Sequence, residues 1–122
     1  MKLFVEFDEE GLVEGFTYAY NDLPVTDTSV EIKSPEGIYV GMKRVGDEWV
    51  DTKKSIEERS YIVRAERDVR VLEEVDPIVS NALRWATLDV ETQQLWAAYR
   101  QALLDVPNQA GFPTDVTWPT KP

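Results

Sequence analysis

The chain has 122 residues, 43% of them hydrophobic and 11% aromatic, which suits one small domain, or one domain with an appendage, that removes roughly two thirds of its unfolded surface from water. With 23 acidic against 13 basic side chains and a net charge of -10, it would repel a phosphate backbone, which argues against nucleic acid as a partner. The absence of cysteine and histidine removes disulfides, thiolate nucleophiles, zinc-thiolate sites, and the commonest general base and transition-metal ligand.

The N-terminus turns acidic after Met1 to Val5, and no stretch approaches the roughly 20 apolar residues of a membrane span. The expectation is a soluble cytosolic protein with no membrane partner. Short apolar runs then alternate with turn residues: Leu3 to Phe7, Gly11 to Tyr20, Val30 to Lys33, Ile38 to Val45, and Glu48 to Asp51. These read as about five short strands. Val30 and Ile32, then Ile38, Val40 and Met42, alternate with period two across Ser34-Pro35-Glu36-Gly37, which predicts a hairpin over that turn. Gly46-Asp47 predicts a second tight turn that returns Trp49 along its neighbour. Together they predict a small antiparallel meander.

From Ser55 the composition shifts to Arg, Glu, Ala and Leu, with no glycine until Gly111, which suits helices. Ser55 with Glu58 predicts a capping box. Ile62, Ala65, Val69 and Leu72 recur at spacings of three and four and predict the apolar stripe of a first helix. Pro77 predicts that this helix ends near Val75, and Asp76-Pro77 can equally open a short helical turn through Leu83. Asp89 predicts the cap of a last helix, Val90 to about Val106, carrying Trp96, Tyr99 and Leu103 on one face. Beyond Pro107, the prolines at 113, 119 and 122 predict an extended arm.

Asp8-Glu9-Glu10 reads as a solvated turn, because consecutive carboxylates cannot converge on one ion without other ligands. Adjacent pairs such as Glu57-Glu58 and Glu73-Glu74 point in different directions on a helix, and no phosphate-binding glycine loop or serine elbow is present. No catalytic residue, metal ligand or cofactor site is therefore assigned. Trp49 and Trp96 read as core. Trp118, in an arm that cannot form its own core, reads either as docked or as a partner-facing anchor. Six of the seven arginines fall between Arg59 and Arg100; Arg64 and Arg70 read as helix-surface ion pairs, while for Arg100 an ion pair and an interface fork stand even.

Tyr99-Arg100-Gln101-Ala102-Leu103, Asp105-Val106-Pro107, Gly111-Phe112-Pro113 and Trp118-Pro119, preceded by Arg67-Asp68, Asp76 and Trp96, resemble the C-terminal signature of tailed-phage tail assembly chaperones, including tail fibre assembly proteins. The resemblance covers about residues 57–122. Pro77 and Leu104 stand where that family usually carries Trp and Arg. It implies a non-enzymatic factor that acts in the host cytoplasm on a phage tail fibre or other tail protein, assisting its folding, trimerisation or attachment. A permanent virion component, an adaptor or cap on the fibre or baseplate, is the alternative.

The combined expectation is an α+β protein. Residues 1–54 would form a β-rich variable region concerned with partner selection, and residues 55–122 a helical hairpin with the extended arm. Trp85, Arg100, Phe112 and Trp118 are the candidate partner-binding residues.

Overall fold

A computed structural model describes residues 1–20 and 29–122 of the chain. It places antiparallel strands first and helices after them, an α+β arrangement. The described residues divide into two compact units, Met1–Arg59 and Ser60–Pro122.

The first unit contains strands β1 (Lys2–Phe7), β2 (Val13–Ala19), β3 (Ser29–Ile32), β4 (Lys43–Val45) and β5 (Glu48–Val50). β1 lies in the centre of a three-stranded antiparallel sheet ordered β2-β1-β3, with Val5 opposite both Phe16 and Val30. The strand order is thus not that of a simple meander, because β3 pairs with the far side of β1 rather than with its successor. β4 and β5 form the second predicted hairpin, closed by Gly46-Asp47. Gly46 has φ +62, as the first position of a two-residue hairpin turn requires.

The hairpin expected from Val30 to Val45 does not form. Pro35 to Met42 are two successive turns: the Ile38 amide donates to the Pro35 carbonyl at 3.1 Å and the Met42 amide to the Tyr39 carbonyl at 3.0 Å. Gly37 and Gly41 take φ +78 and +90 at the third position of each, the site where a type II turn needs glycine. Period-two spacing of Ile38 and Met42 survives, but it aims them into a core with Val5 and Val13 rather than along a strand. The double turn is held to β2 by Gly41 donating to the Val13 carbonyl and Val13 to the Met42 carbonyl, both at 2.8 Å.

A Cβ on Gly41 would lie 2.7 Å from the Ser55 amide nitrogen. Gly41→Ala therefore combines a positive φ with a backbone overlap and is expected to cost about 2 kcal/mol or more. Gly46→Ala meets nothing within 4 Å and should cost about 1 kcal/mol, the conformational part alone. Thermal melting of the two variants checks the difference.

Helix α1 runs over Lys53–Arg70, so its cap lies three residues before the predicted one. The Thr52 amide donates to Ser55 Oγ at 2.7 Å and the Ser55 amide to Thr52 Oγ1 at 3.3 Å, a reciprocal box with Thr52 as cap. Ser55 is fully buried and its hydroxyl also reaches Asp51 Oδ1 at 2.8 Å, which removes it from the capping role that Glu58 would have shared.

In the second unit Pro77 does not end the helical path near Val75; the alternative, a short helical turn opening at Asp76-Pro77, forms, but it ends at Val79 rather than Leu83 and has no side-chain cap. Helix α1 passes into a π-turn, Val71–Val75, and then into α2, Asp76–Val79. Proline has no N–H for the preceding turn, and its ring crowds the carbonyl four residues back. The wider turn relieves that conflict, with the Asp76 amide donating to Val71 five residues earlier. Helix α3, Ala82–Ala86, is capped by Asn81, and α4, Val90–Leu104, by Asp89 as expected. The Thr92 amide donates to Asp89 Oδ1 at 2.7 Å. Helix α4 stops two residues before the expected Val106, which with Pro107 and Asn108 forms a 3₁₀ turn.

Trp96, Tyr99 and Leu103 of α4 are buried as expected, but not against the Ile62, Ala65 and Val69 stripe that the α1 spacing suggests for them. They pack on Val71, Val75, Ile78 and Val79 of the π-turn and α2. The predicted stripe faces solvent instead: Ile62 is 42%, Val69 50% and Leu72 67% exposed. Two stripes at helical spacing lie out of phase along this segment, and the later one carries the core.

Candidate functional site

The C-terminal arm is positioned by side chains of its own unit. It begins as a turn over residues 110–115 and then runs without regular secondary structure to Pro122. Asp115 donates its amide to the Gly111 carbonyl at 2.7 Å, and the Phe112–Pro113 peptide is cis. The Gln109 side-chain amide closes the loop from inside, donating to the Thr117 carbonyl at 2.8 Å and accepting from the Thr117 amide at 2.9 Å.

At its far end the arm meets α1. The Arg70 guanidinium lies 4.2 Å from the centre of the Trp118 ring, and Arg64 lies 5.3 Å from that of Phe112, cation–π contacts that hold apolar rings against a charged helix face. Arg70 is itself fixed by Glu66 at 2.9 Å, a hydrogen bond that raises its already high pKa further. Trp118 also packs on the buried cluster of Val75, Trp96, Tyr99 and Leu103.

Trp85 is half-buried against the same cluster, and the Gln93 amide donates to its carbonyl at 2.8 Å. Arg100 is exposed on α4, and among the described residues its side chain makes no hydrogen bond or ion pair. The structure thus gathers Trp85, Phe112 and Trp118 onto the helices of one unit and leaves Arg100 apart from them. Two members of this assembly escaped the sequence: Gln109, whose clamp depends on where residue 117 returns, and Glu74.

Glu74 accepts the Tyr99 hydroxyl beside the core. Burial first, and then this hydrogen bond, push the Tyr99 phenol above its ordinary value. A raised folded pKa means that the associated stability is present below about pH 10, where the unfolded tyrosine ionises, and is lost as pH rises through the folded value. Tyr99→Phe should remove that alkaline loss. At neutral pH it should cost about 1 to 3 kcal/mol, because the Glu74 carboxylate loses its donor. Melting temperature against pH, compared between the two proteins, checks both.

In the first unit the acidic run is occupied in building the β1–β2 turn. Asp8 Oδ1 accepts from the Glu10 amide at 2.9 Å and the Leu12 amide at 3.0 Å, with Lys54 Nζ 3.4 Å from Oδ2. The Leu12 hydrogen bond is the largest cause holding the Asp8 carboxyl below its usual range. Among the described residues no group of three or more His, Cys, Asp or Glu could hold a metal ion, and no helix is long and apolar enough to cross a membrane.

Compared with known families, residues 60–122 match the model described as phage tail assembly chaperone protein. The curated proteins and the solved structures returned no match.

Proposed function

The chain belongs to the phage tail assembly chaperone family, and from that premise we propose that it is a non-enzymatic helper of a tail fibre protein, acting while the fibre folds, trimerises or is attached. It works in the host cell during assembly, and its partners are phage tail proteins. The observation that carries the reading is the extent of the family match, residues 60–122, which coincides with the second compact unit, Ser60–Pro122. The π-turn, α2 to α4, the docked arm and α1 from Ser60 onward lie inside it.

The choice of a fibre rests on the chemistry such a client needs. Trimeric fibres are β-rich and expose unpaired strand edges and apolar side chains until the chains come into register, so a helper must offer an edge or an apolar face to cover them. Among the described residues β2 and β3 are the end strands of their sheet, and Tyr18 and Tyr20 stand 63% and 84% exposed at the end of β2. We assign residues 1–54 to client selection on this ground. Trp85, Phe112 and Trp118 then shape the unit that acts on the client, and Arg100 is an exposed cation available to it.

Exchanging residues 1–54 for those of a relative should transfer client preference, measured as the fibre that co-purifies; preference that follows residues 55–122 would overturn the assignment. Protein analysis of purified particles tests the helper role itself. The expected result is a protein abundant in infected cells and absent from particles, whereas a fixed ratio to the fibre would make it a structural component.

A further inference from the structure

We propose that the solvent-facing stripe of α1, Tyr61, Ile62, Ala65, Val69 and Leu72, is where the client docks, through an apolar segment flanked by Lys or Arg. The inference rests on the chaperone reading above and adds to it a place and a partner chemistry.

Single exposed apolar residues need no explanation. Here the five recur at helical spacing, so they form one contiguous strip along α1 and into the π-turn. Tyr61 is 71% and Leu72 67% exposed, and Ala65 is exposed between them. A strip on the order of a few hundred Å² is of the size that marks an interaction site. It is also the wrong way round for an isolated surface helix, whose apolar side should face the core. The core of this unit is served by Val71 and Val75 instead.

Charge selects the occupant. Three arginines of this helix are paired: Arg59 with Asp51 and over the Tyr39 ring, Arg67 with Asp68, and Arg70 with Glu66 and over Trp118. Those pairs offset Asp68 and Glu66 as well, so among the described residues the exposed charges from 57 to 74 outside an ion pair are Glu57 and Glu73, near the two ends of the strip, against Arg64. An apolar strip rimmed by carboxylates is complementary to an apolar segment with basic flanks, and like-charge pairing disfavours the alternatives. A second copy of this chain would bring the same acidic rim, and a net charge of -10, against itself.

The test uses the full-length protein co-expressed with the tail fibre polypeptide of the same phage. Val69→Lys with Leu72→Lys changes two exposed side chains to good helix formers, so melting should be unaltered while fibre binding weakens by about tenfold or more. Glu57→Lys with Glu73→Lys leaves the strip intact. It should weaken binding several-fold, with the loss greatest at low salt. Unchanged binding by the first pair overturns the docking site and leaves the chaperone reading standing, because the fibre is still bound. Failure of the unaltered protein to bind the fibre removes that reading and this inference with it. Self-association in sedimentation that the first pair abolishes would assign the strip to a second copy and overturn the client docking.

Discussion

Replacing Trp96 with Ala is expected to destabilise the second unit by about 3 to 5 kcal/mol, the cost of truncating a large buried ring in a core that relaxes only in part. Trp96 is 8% exposed and meets Tyr99 edge-on, with ring centres 6.0 Å apart and planes at 76°. It shares one buried cluster with Val75 of the π-turn, and Trp118 of the arm packs against that cluster. Val69→Ala, at a position 50% exposed, should stay within about 0.5 kcal/mol. Chemical denaturation of the two variants therefore decides which helical stripe is core. Equal midpoints would place Trp96 outside it.

Deleting residues 111–122 should have an effect of similar size, on the order of 4 kcal/mol, because Phe112 and Trp118 each return apolar area to water and uncover the cluster beneath. A unit this small has little stability to spare, and its cooperative melting should be lost or displaced to much lower temperature. The arm is thus structural in the isolated protein, held by Arg64, Arg70 and Gln109. A deletion that melts like the full chain yet fails to assist the fibre would show the opposite, an arm that matters only to the client. Gly111→Ala probes the same point with one atom. Its Cβ would overlap the Asp115 carbonyl oxygen, which the arm's turn cannot move without losing the Asp115 amide hydrogen bond.

Much of this fold could be read from residue order alone, for identifiable reasons. β1, β2, the β4–β5 hairpin and the Asp89 cap are local features, set by alternation, a glycine in a two-residue turn and a carboxylate before an apolar run. The failures were cases where two local solutions shared one pattern. Ile38, Val40 and Met42 satisfy a strand, but also two type II turns, and the signal that separates them is the four-residue spacing of Gly37 and Gly41. Ile62 to Leu72 satisfy a core stripe as well as Val71 to Ile78 do, and only tertiary packing chooses between them. Pro77 normally ends a helix; a π-turn let this one continue.

The candidate site divides the same way. Its place in a proline-rich arm left Trp118 either docked or facing a partner, and the structure docks it. That it docks over Arg70 did not follow, because the ion pair with Glu66, four residues earlier on the same helix face, already accounts for that arginine. The resemblance read over about residues 57–122 agrees with the family match over residues 60–122. The family match begins at residue 60 and leaves the β-rich first unit outside it.

The central claim is that this chain promotes assembly of a tail fibre protein and then leaves it. The most direct measurement is the fraction of fibre polypeptide recovered as soluble trimer when it is synthesised with and without the protein, with the protein then removed. The account predicts trimers formed in its presence that persist and carry no copy of it. Equal trimer yield without the protein, or trimers that hold it in fixed ratio and fall apart when it is stripped away, would contradict the account.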